Sequence, residues 1–249
     1  MDVVYEDSDI LVINKPPGLV IDRDHKPREL ENYLVVHRLD KDTSGLLVLA
    51  KTPTAAENLK KQFKERKIKK GYWALVHGRP KHLSGVIEAA VGRNPKETKK
   101  FAVVENGRRS VTKWKMEDGT CLPARQGWKI EDEDLSLLNV ETLTGRTHQI
   151  RVHLKSIGHS VVGDKLYASR RQQKGDAKFC PRQFLHAYRL GFEHPRTAEW
   201  LRFEVDLPQD LKNVLGRIKE QKANSKKQIY KSKFKEIFAL YSVVFLFAL

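Results

Sequence analysis

The chain has 249 residues, 40% of them apolar, which is enough for one large domain with a real core or two small ones. Lysine and arginine number 47 against 31 aspartates and glutamates, and the resulting net charge of +16 implies an acidic partner such as RNA, DNA or an anionic surface. Cys121 and Cys180 are far apart and have no second thiol beside them, which excludes a zinc site or a disulfide framework and points to the reducing cytoplasm, and the alternating acidic and apolar N-terminus lacks a secretory-signal pattern.

In chain order, Val3-Val4-Tyr5 and Ile10 to Lys15 read as two short strands around the turn Glu6-Asp7-Ser8-Asp9, the second ended by Pro16-Pro17-Gly18. His37-Arg38-Leu39-Asp40 then meets the turn-forming Thr43-Ser44-Gly45, and a strand follows that is too apolar to be solvated on one face. An aspartate beside Lys41 is ordinarily a surface turn residue. At the entrance to a buried strand, however, a carboxylate can be held rigidly and partly desolvated, as a nucleophile or general base requires.

Thr54-Ala55-Ala56-Glu57 has capping-box spacing, and Leu59 and Phe63, four apart, continue the helix it predicts. That helix turns strongly basic through Lys60, Lys61, Lys64, Arg66, Lys67, Lys69 and Lys70 before Tyr72 to Val76 returns to strand character. From Val86 to Val140 short β-like runs alternate with polar turns, and Leu135 to Leu143 is a strand. After the turn Thr144-Gly145-Arg146, Thr147 is placed as an N-cap and Gly158 as the residue after the C-cap. Between them Ile150, Leu154 and Ile157 give the helix His148 to Ile157 one buried stripe.

His186 to Phe192 and Trp200 to Val205 are two further strands around His194-Pro195-Arg196-Thr197. Many strands, few helices and abundant turns predict an α+β domain with a largely antiparallel sheet over residues 1–212. A basic tail is expected over 213–249. Lys212 to Glu236 carries nine basic and two acidic residues, and Ile237 to Leu249 is a thirteen-residue segment, apolar but for Tyr241 and Ser242. A run of that length is short of the roughly 20 residues a spanning helix needs, so no membrane span is expected.

Three separated segments carry a family pattern: His37 to Leu47; Lys69-Lys70-Gly71-Tyr72-Trp73-Ala74-Leu75-Val76-His77-Gly78; and Leu143-Thr144-Gly145-Arg146-Thr147-His148-Gln149-Ile150-Arg151-Val152-His153-Leu154, continued by Gly158-His159 and Val162-Gly163-Asp164-Lys165-Leu166-Tyr167. Taken together in this order, they resemble the RluA-type pseudouridine synthases. The resemblance implies an RNA uridine isomerase that breaks the bond from ring nitrogen to ribose, turns the uracil and rejoins it through carbon. Such chemistry needs no cofactor and no metal. It also implies that Asp40 is the catalytic carboxylate, Tyr72 the platform for the flipped base and possible relay of its last proton, and Arg151 the cation paired with Asp40. Arg38 corresponds to the residue that enters the RNA as the target base leaves.

The basic segment with Lys60, Lys64, Lys67 and Lys70, and the loop with Arg170, Arg171, Lys174, Lys178 and Arg182, are expected to contact phosphates. His37, His148, His153 and His186 are read as structural, because no carboxylate or thiol joins them at ligand spacing. The resemblance departs at one place: eighteen residues separate Gly18 from His37, fewer than the family usually has, which implies a reduced floor to the cleft. The chain starts directly at the catalytic part, so affinity is expected from the basic surface and tail. The expected partner is ribosomal or transfer RNA, and the expected state a cytoplasmic monomer. The competing reading is a non-catalytic RNA-binding protein or chaperone on the same fold.

Overall fold

In the computed structural model, which describes residues 1–123, 134–218 and 220, the apolar runs become the inner strands of one sheet. The strands are β1 (Asp2–Glu6), β2 (Ile10–Lys15), β3 (Leu34–Val35), β4 (Ser44–Ala50), β5 (Lys69–His77), β6 (Ser84–Arg93), β7 (Phe101–Val103), β8 (Arg108–Pro123), β9 (Asp134–Thr142), β10 (Leu185–Glu193) and β11 (Trp200–Glu204). Helices α1 (Pro53–Glu65), α2 (Gln149–Ser156) and α3 (Arg170–Asp176) lie between them, and residues 209–218 form a further helix, α4. The fold is α+β, as expected.

The sheet runs β1-β2-β4-β10-β5-β9-β8-β6-β7, with β11 on β10 and β3 on β4. Its pairings are antiparallel except where β4 meets β10, with Ser44 opposite His186 and Gly45 opposite Ala187. Gly45 has φ +117°, and a Cβ there would come within 2.2 Å of the Ala187 carbonyl oxygen, so only glycine fits this crossing.

The absence of polar alternation in β2 and β4 has a direct cause. Ile10, Val12, Leu46 and Val48 face Ala55, Ala56 and Leu59 of α1, while Leu11, Ile13, Leu47 and Leu49 face Ile21, Leu30 and Leu39 on the other side. Each fully buried leucine or isoleucine here contributes about 1.5–3 kcal/mol. Ile21 and Leu30 belong to the short connection after Gly18, so that connection covers this face of the sheet and packs with Leu39 despite its length, although neither residue lines the cleft itself.

Helix boundaries differ from the sequence reading in instructive ways. Thr52, not Thr54, caps α1: its Oγ1 accepts from Ala55 N at 3.2 Å and Pro53 occupies the first turn. The helix stops at Arg66, whose backbone is left-handed, so Lys69 and Lys70 belong to β5. His148, not Thr147, is the N-cap of α2. Ile157 is 39% exposed, whereas all six residues from Gln149 to Leu154 are buried, because α2 is sunk against β6, β7 and β8.

Leu211, Val214 and Ile218 of α4 pack on Leu75, Leu135 and Phe184. The packed unit therefore continues at least to residue 218, and the boundary expected at 212 falls inside a helix. The basic stretch beyond residue 220 and the apolar run Ile237 to Leu249 lie outside the described residues, as does the side chain of Cys121. Among the described residues no helix is long and apolar enough to cross a membrane.

Candidate active site

The loop that carries Asp40 is tied down through its own backbone. Thr43 N donates to Asp40 O at 3.0 Å, closing a turn, and Leu39 is buried beneath it. Lys15 is fully buried, and its Nζ donates to the carbonyls of Pro16, Leu19 and Lys41 at 2.9, 3.0 and 3.1 Å. Burial, then the nearby Arg182 charge, pushes its pKa down to about 8. On the other side Arg182 donates NH1 to Asp42 O and NH2 to Ser44 Oγ, both at 3.0 Å, while its Nε holds Asp210 of α4 at 2.7 Å. Arg182, expected as a phosphate contact, is thus a buried strut between α4 and the Asp40 loop. Sequence could not distinguish it from its exposed neighbours.

The side chain of Asp40 is 20% exposed and faces a cleft of about 490 Å³. Arg151 reaches it with NH1 at 3.0 Å. The rest of the guanidinium belongs to Asp164: Nε donates to Oδ2 at 2.7 Å and NH2 to Oδ1 at 2.8 Å. Asp164 is fully buried and also accepts from Leu166 N and Tyr167 N at 2.9 and 3.0 Å, so its own position is fixed by backbone. The Tyr167 ring lies 4.9 Å from the guanidinium carbon. Burial works against the arginine charge, but the bonds to Asp164 and the field of both carboxylates outweigh it and raise its pKa. Asp164 lies in the third segment of the family pattern, yet spacing alone gave no hint of this bond.

Tyr72 of β5 lines the same cleft. Burial, followed by repulsion from Asp40, pushes its phenol up to about 12. The phenol therefore stays protonated near neutral pH and offers a ring face and a donor; it can relay a proton only by releasing its own. Lys70, on the same strand, was expected among the exposed cations. It is only 9% exposed, and its Nζ donates to Thr144 O at 3.2 Å and sits 5.8 Å from the Phe63 ring centre. Burial, then Arg146, lowers its pKa to about 8.

Arg38 is exposed at the rim of the cleft and pairs with Asp22 at 3.3 Å. Lys64, Arg66 and Arg146 line the same opening. Lys60 and Lys67 are exposed nearby in sequence but outside the lining, and Lys67 pairs with Glu65 at 3.1 Å. Arg170 and Arg171 are exposed on α3 and do not line the cleft.

The histidines divide. His37 accepts from Val48 N at 3.1 Å, and burial, with help from Lys70, pushes its pKa down to about 3. His153 bonds Thr112 and Ala89, and His186 bonds Ser44 Oγ at 2.9 Å, so both serve packing. His37 and His148 both line the cleft, but only His148 is turned toward the carboxylate, with Nε2 4.0 Å from Asp40 Oδ1. Among the described residues Asp7, Asp9 and His194 cluster at metal-ligand spacing. Asp7, however, already accepts from Tyr5, Asp9 N, Ile10 N and His194, and Asp9 pairs with Arg196 at 2.8 Å. The cluster is a clasp between the first hairpin and the turn after β10.

The sequence pattern of the family described as RNA pseudouridylate synthase matches residues 9–156. An uncharacterized RNA pseudouridine synthase of Bacillus subtilis is 36% identical over 239 residues, covering 88% of this chain and 73% of its own length. A ribosomal large subunit pseudouridine synthase D of Zymomonas mobilis is 36% identical over 236 residues, covering 85% and 70%. Among solved structures, human RNA pseudouridylate synthase domain containing 1 superposes with a TM-score of 0.68 at 29% identity, over 83% of each chain.

Proposed function

The chain belongs to the RNA pseudouridine synthase family, and from that premise we propose that it isomerises uridines of ribosomal or transfer RNA with Asp40 as the reacting carboxylate. The enzyme class is an isomerase acting on RNA. In that reaction the bond from N1 of uracil to C1′ of ribose breaks, the base turns, and C5 bonds to C1′. The C5 proton leaves and N1 gains one, so no oxidant or reductant enters.

The observation that carries the assignment of Asp40 is its setting. It is a partly exposed carboxylate on a loop tied by Lys15 and Arg182, and it faces a cleft beside an arginine anchored from behind by Asp164. Reach and rigidity are what a group acting on the sugar needs. Tyr72 is the surface on which the flipped uracil stacks. Arg38, exposed at the rim, fills the space the base leaves; extrusion costs a few kcal/mol, which stacking and phosphate contacts of a guanidinium offset. Lys60, Lys64, Lys67, Arg170 and Arg171 supply exposed charge for the phosphates. Lys70 and Arg182 act from inside, by holding the walls of the cleft. A cytoplasmic monomer suits this role.

The direct test uses ribosomal and transfer RNA carrying tritium at C5 of uridine. The purified protein should release tritium to water, and the modified positions should be missing from RNA of cells that lack it. Binding of these RNAs with no tritium release would favour the non-catalytic reading instead.

A further inference from the structure

His148 has a left-handed backbone, φ +56° and ψ +20°, and makes no side-chain capping bond, although it opens α2. A non-glycine residue there costs on the order of 1 kcal/mol and persists only where its surroundings hold it. Here they do so through a chain of hydrogen bonds whose protons can be counted. Phe101 N–H donates to Tyr167 Oη at 3.0 Å. Tyr167 is 3% exposed, and the acceptor for its own proton is His148 Nδ1, 2.8 Å away.

If Nδ1 carried a proton, two donors would face one phenol oxygen and the phenol proton would be buried without an acceptor, at a cost of about 1–3 kcal/mol. Nδ1 is therefore the acceptor, and the proton of the neutral ring sits on Nε2. The Phe101 and Tyr167 rings stand edge-on to the imidazole, each with its centre 5.6 Å away, and fix its plane. Nε2 points into the cleft 4.0 Å from Asp40 Oδ1, beyond hydrogen-bond length, so its N–H is available to a ligand.

We infer that His148 binds the ribose of the target nucleotide by donating its Nε2 proton to the 2′-hydroxyl. The inference rests on the reading of Asp40 as the group acting at the sugar. A carboxylate working at C1′ or C2′ stands over that edge of the ring, and the hydroxyl on C2′ is the neighbouring oxygen a donor 4.0 Å away can meet. The relay from Phe101 through Tyr167 presets that donor before RNA arrives. It gives the cleft a means of telling ribose from deoxyribose, since the 2′-hydroxyl is the feature that distinguishes them.

Two measurements test this. Nitrogen NMR of the intact wild-type protein should show His148 as the Nε2–H tautomer, and Tyr167→Phe should release it to a mixture; an Nδ1–H tautomer in the wild type overturns the inference. Binding is then compared in an Asp40→Asn background, so that RNA is not turned over. The probes are a stem-loop with one loop uridine and the same RNA with 2′-deoxyuridine at that position. His148→Phe should weaken the uridine RNA about tenfold, the scale of one hydrogen bond, and leave the deoxyuridine RNA unchanged, with partial recovery in His148→Gln. Equal weakening of both RNAs overturns it. A protein that never isomerises uridine, yet loses its ribose preference on His148→Phe, would sink the reading of Asp40 and establish the His148 contact independently of it.

Discussion

Asp164 grips Arg151 through two parallel hydrogen bonds of 2.7 and 2.8 Å and leaves NH1 of the guanidinium to face Asp40. The fork geometry sets the direction in which the third nitrogen points, so Asp164 aims the cation that Asp40 meets. Asp164→Asn keeps the shape but sets an NH2 group against a guanidinium nitrogen. Breaking a buried pair in this way costs about 3–5 kcal/mol. The expected result is a lower melting temperature together with a kcat that falls more than KM changes. Wild-type kcat in a folded Asp164→Asn protein would show that aim does not matter.

Asp40→Asn should leave RNA affinity within a few-fold of wild type, because exposed cations supply affinity and the carboxylate serves the reaction. Turnover should fall by at least about 10³-fold, a fraction of the 10⁶ or more that enzymes supply. Tritium release within tenfold of wild type would remove Asp40 from the reaction.

The part of this architecture legible in the sequence is the part set by local pattern. β2 and β4 were visible because both of their faces are buried, so alternation disappears. The motifs around Asp40, Tyr72 and Arg151 were visible because their residue order is distinctive, and the cleft brings all three together. What stayed hidden depends on tertiary neighbours. Lys64 and Lys70 look alike in a run of lysines, but the left-handed stop at Arg66 turns the chain into β5 and carries Lys70 indoors. The apolar spacing of Leu211, Val214 and Ile218 was masked by the basic residues around it. His148 was read as structural because nothing in the sequence shows that its ring points toward Asp40.

Acid should destabilise the fold through two histidines held neutral by desolvation, His186 fully buried and His37 half-buried in the wall of the cleft. Burial depresses the pKa of His37 to about 3 and that of His186 to about 4. For a depressed histidine the unfolded chain binds more protons below about pH 6.5, so stability is full above that pH and is lost as pH falls from 6.5 toward the folded values. At pH 5 His37 alone should account for ~1–2 kcal/mol of the loss. Denaturant melts from pH 7 to 5 should show this slope, and His37→Asn should flatten it. An equal slope in the variant would place the acid sensitivity elsewhere.

Two truncations separate the packed helix from the basic sequence beyond it. Ending the chain at 208 removes Leu211, Val214 and Ile218 from their contacts with Leu75 and Phe184 and deprives Arg182 of Asp210, so the protein should unfold or aggregate. Ending it at 220 should leave the melting temperature near wild type while lowering the slope of log affinity against log salt. A melting temperature that falls with no change in slope would assign the removed residues to structure and not to RNA.

The contrast between Lys64 and Lys70 tests the division of the cations. Lys64 is exposed at the mouth of the cleft, whereas Lys70 is buried with a carbonyl and an aromatic ring for company. Each exposed lysine that meets a phosphate releases condensed counterions, so Lys64→Ala should reduce the salt slope by about 0.7–0.9 and leave stability unchanged. Lys70→Met keeps the apolar stem but removes the donor from Thr144 O. It should lower the melting temperature and disturb the turn that leads into α2, with the salt slope near wild type. A reduced slope in Lys70→Met with normal stability would mean that this ammonium group emerges to meet RNA, and that the wall of the cleft opens when it does.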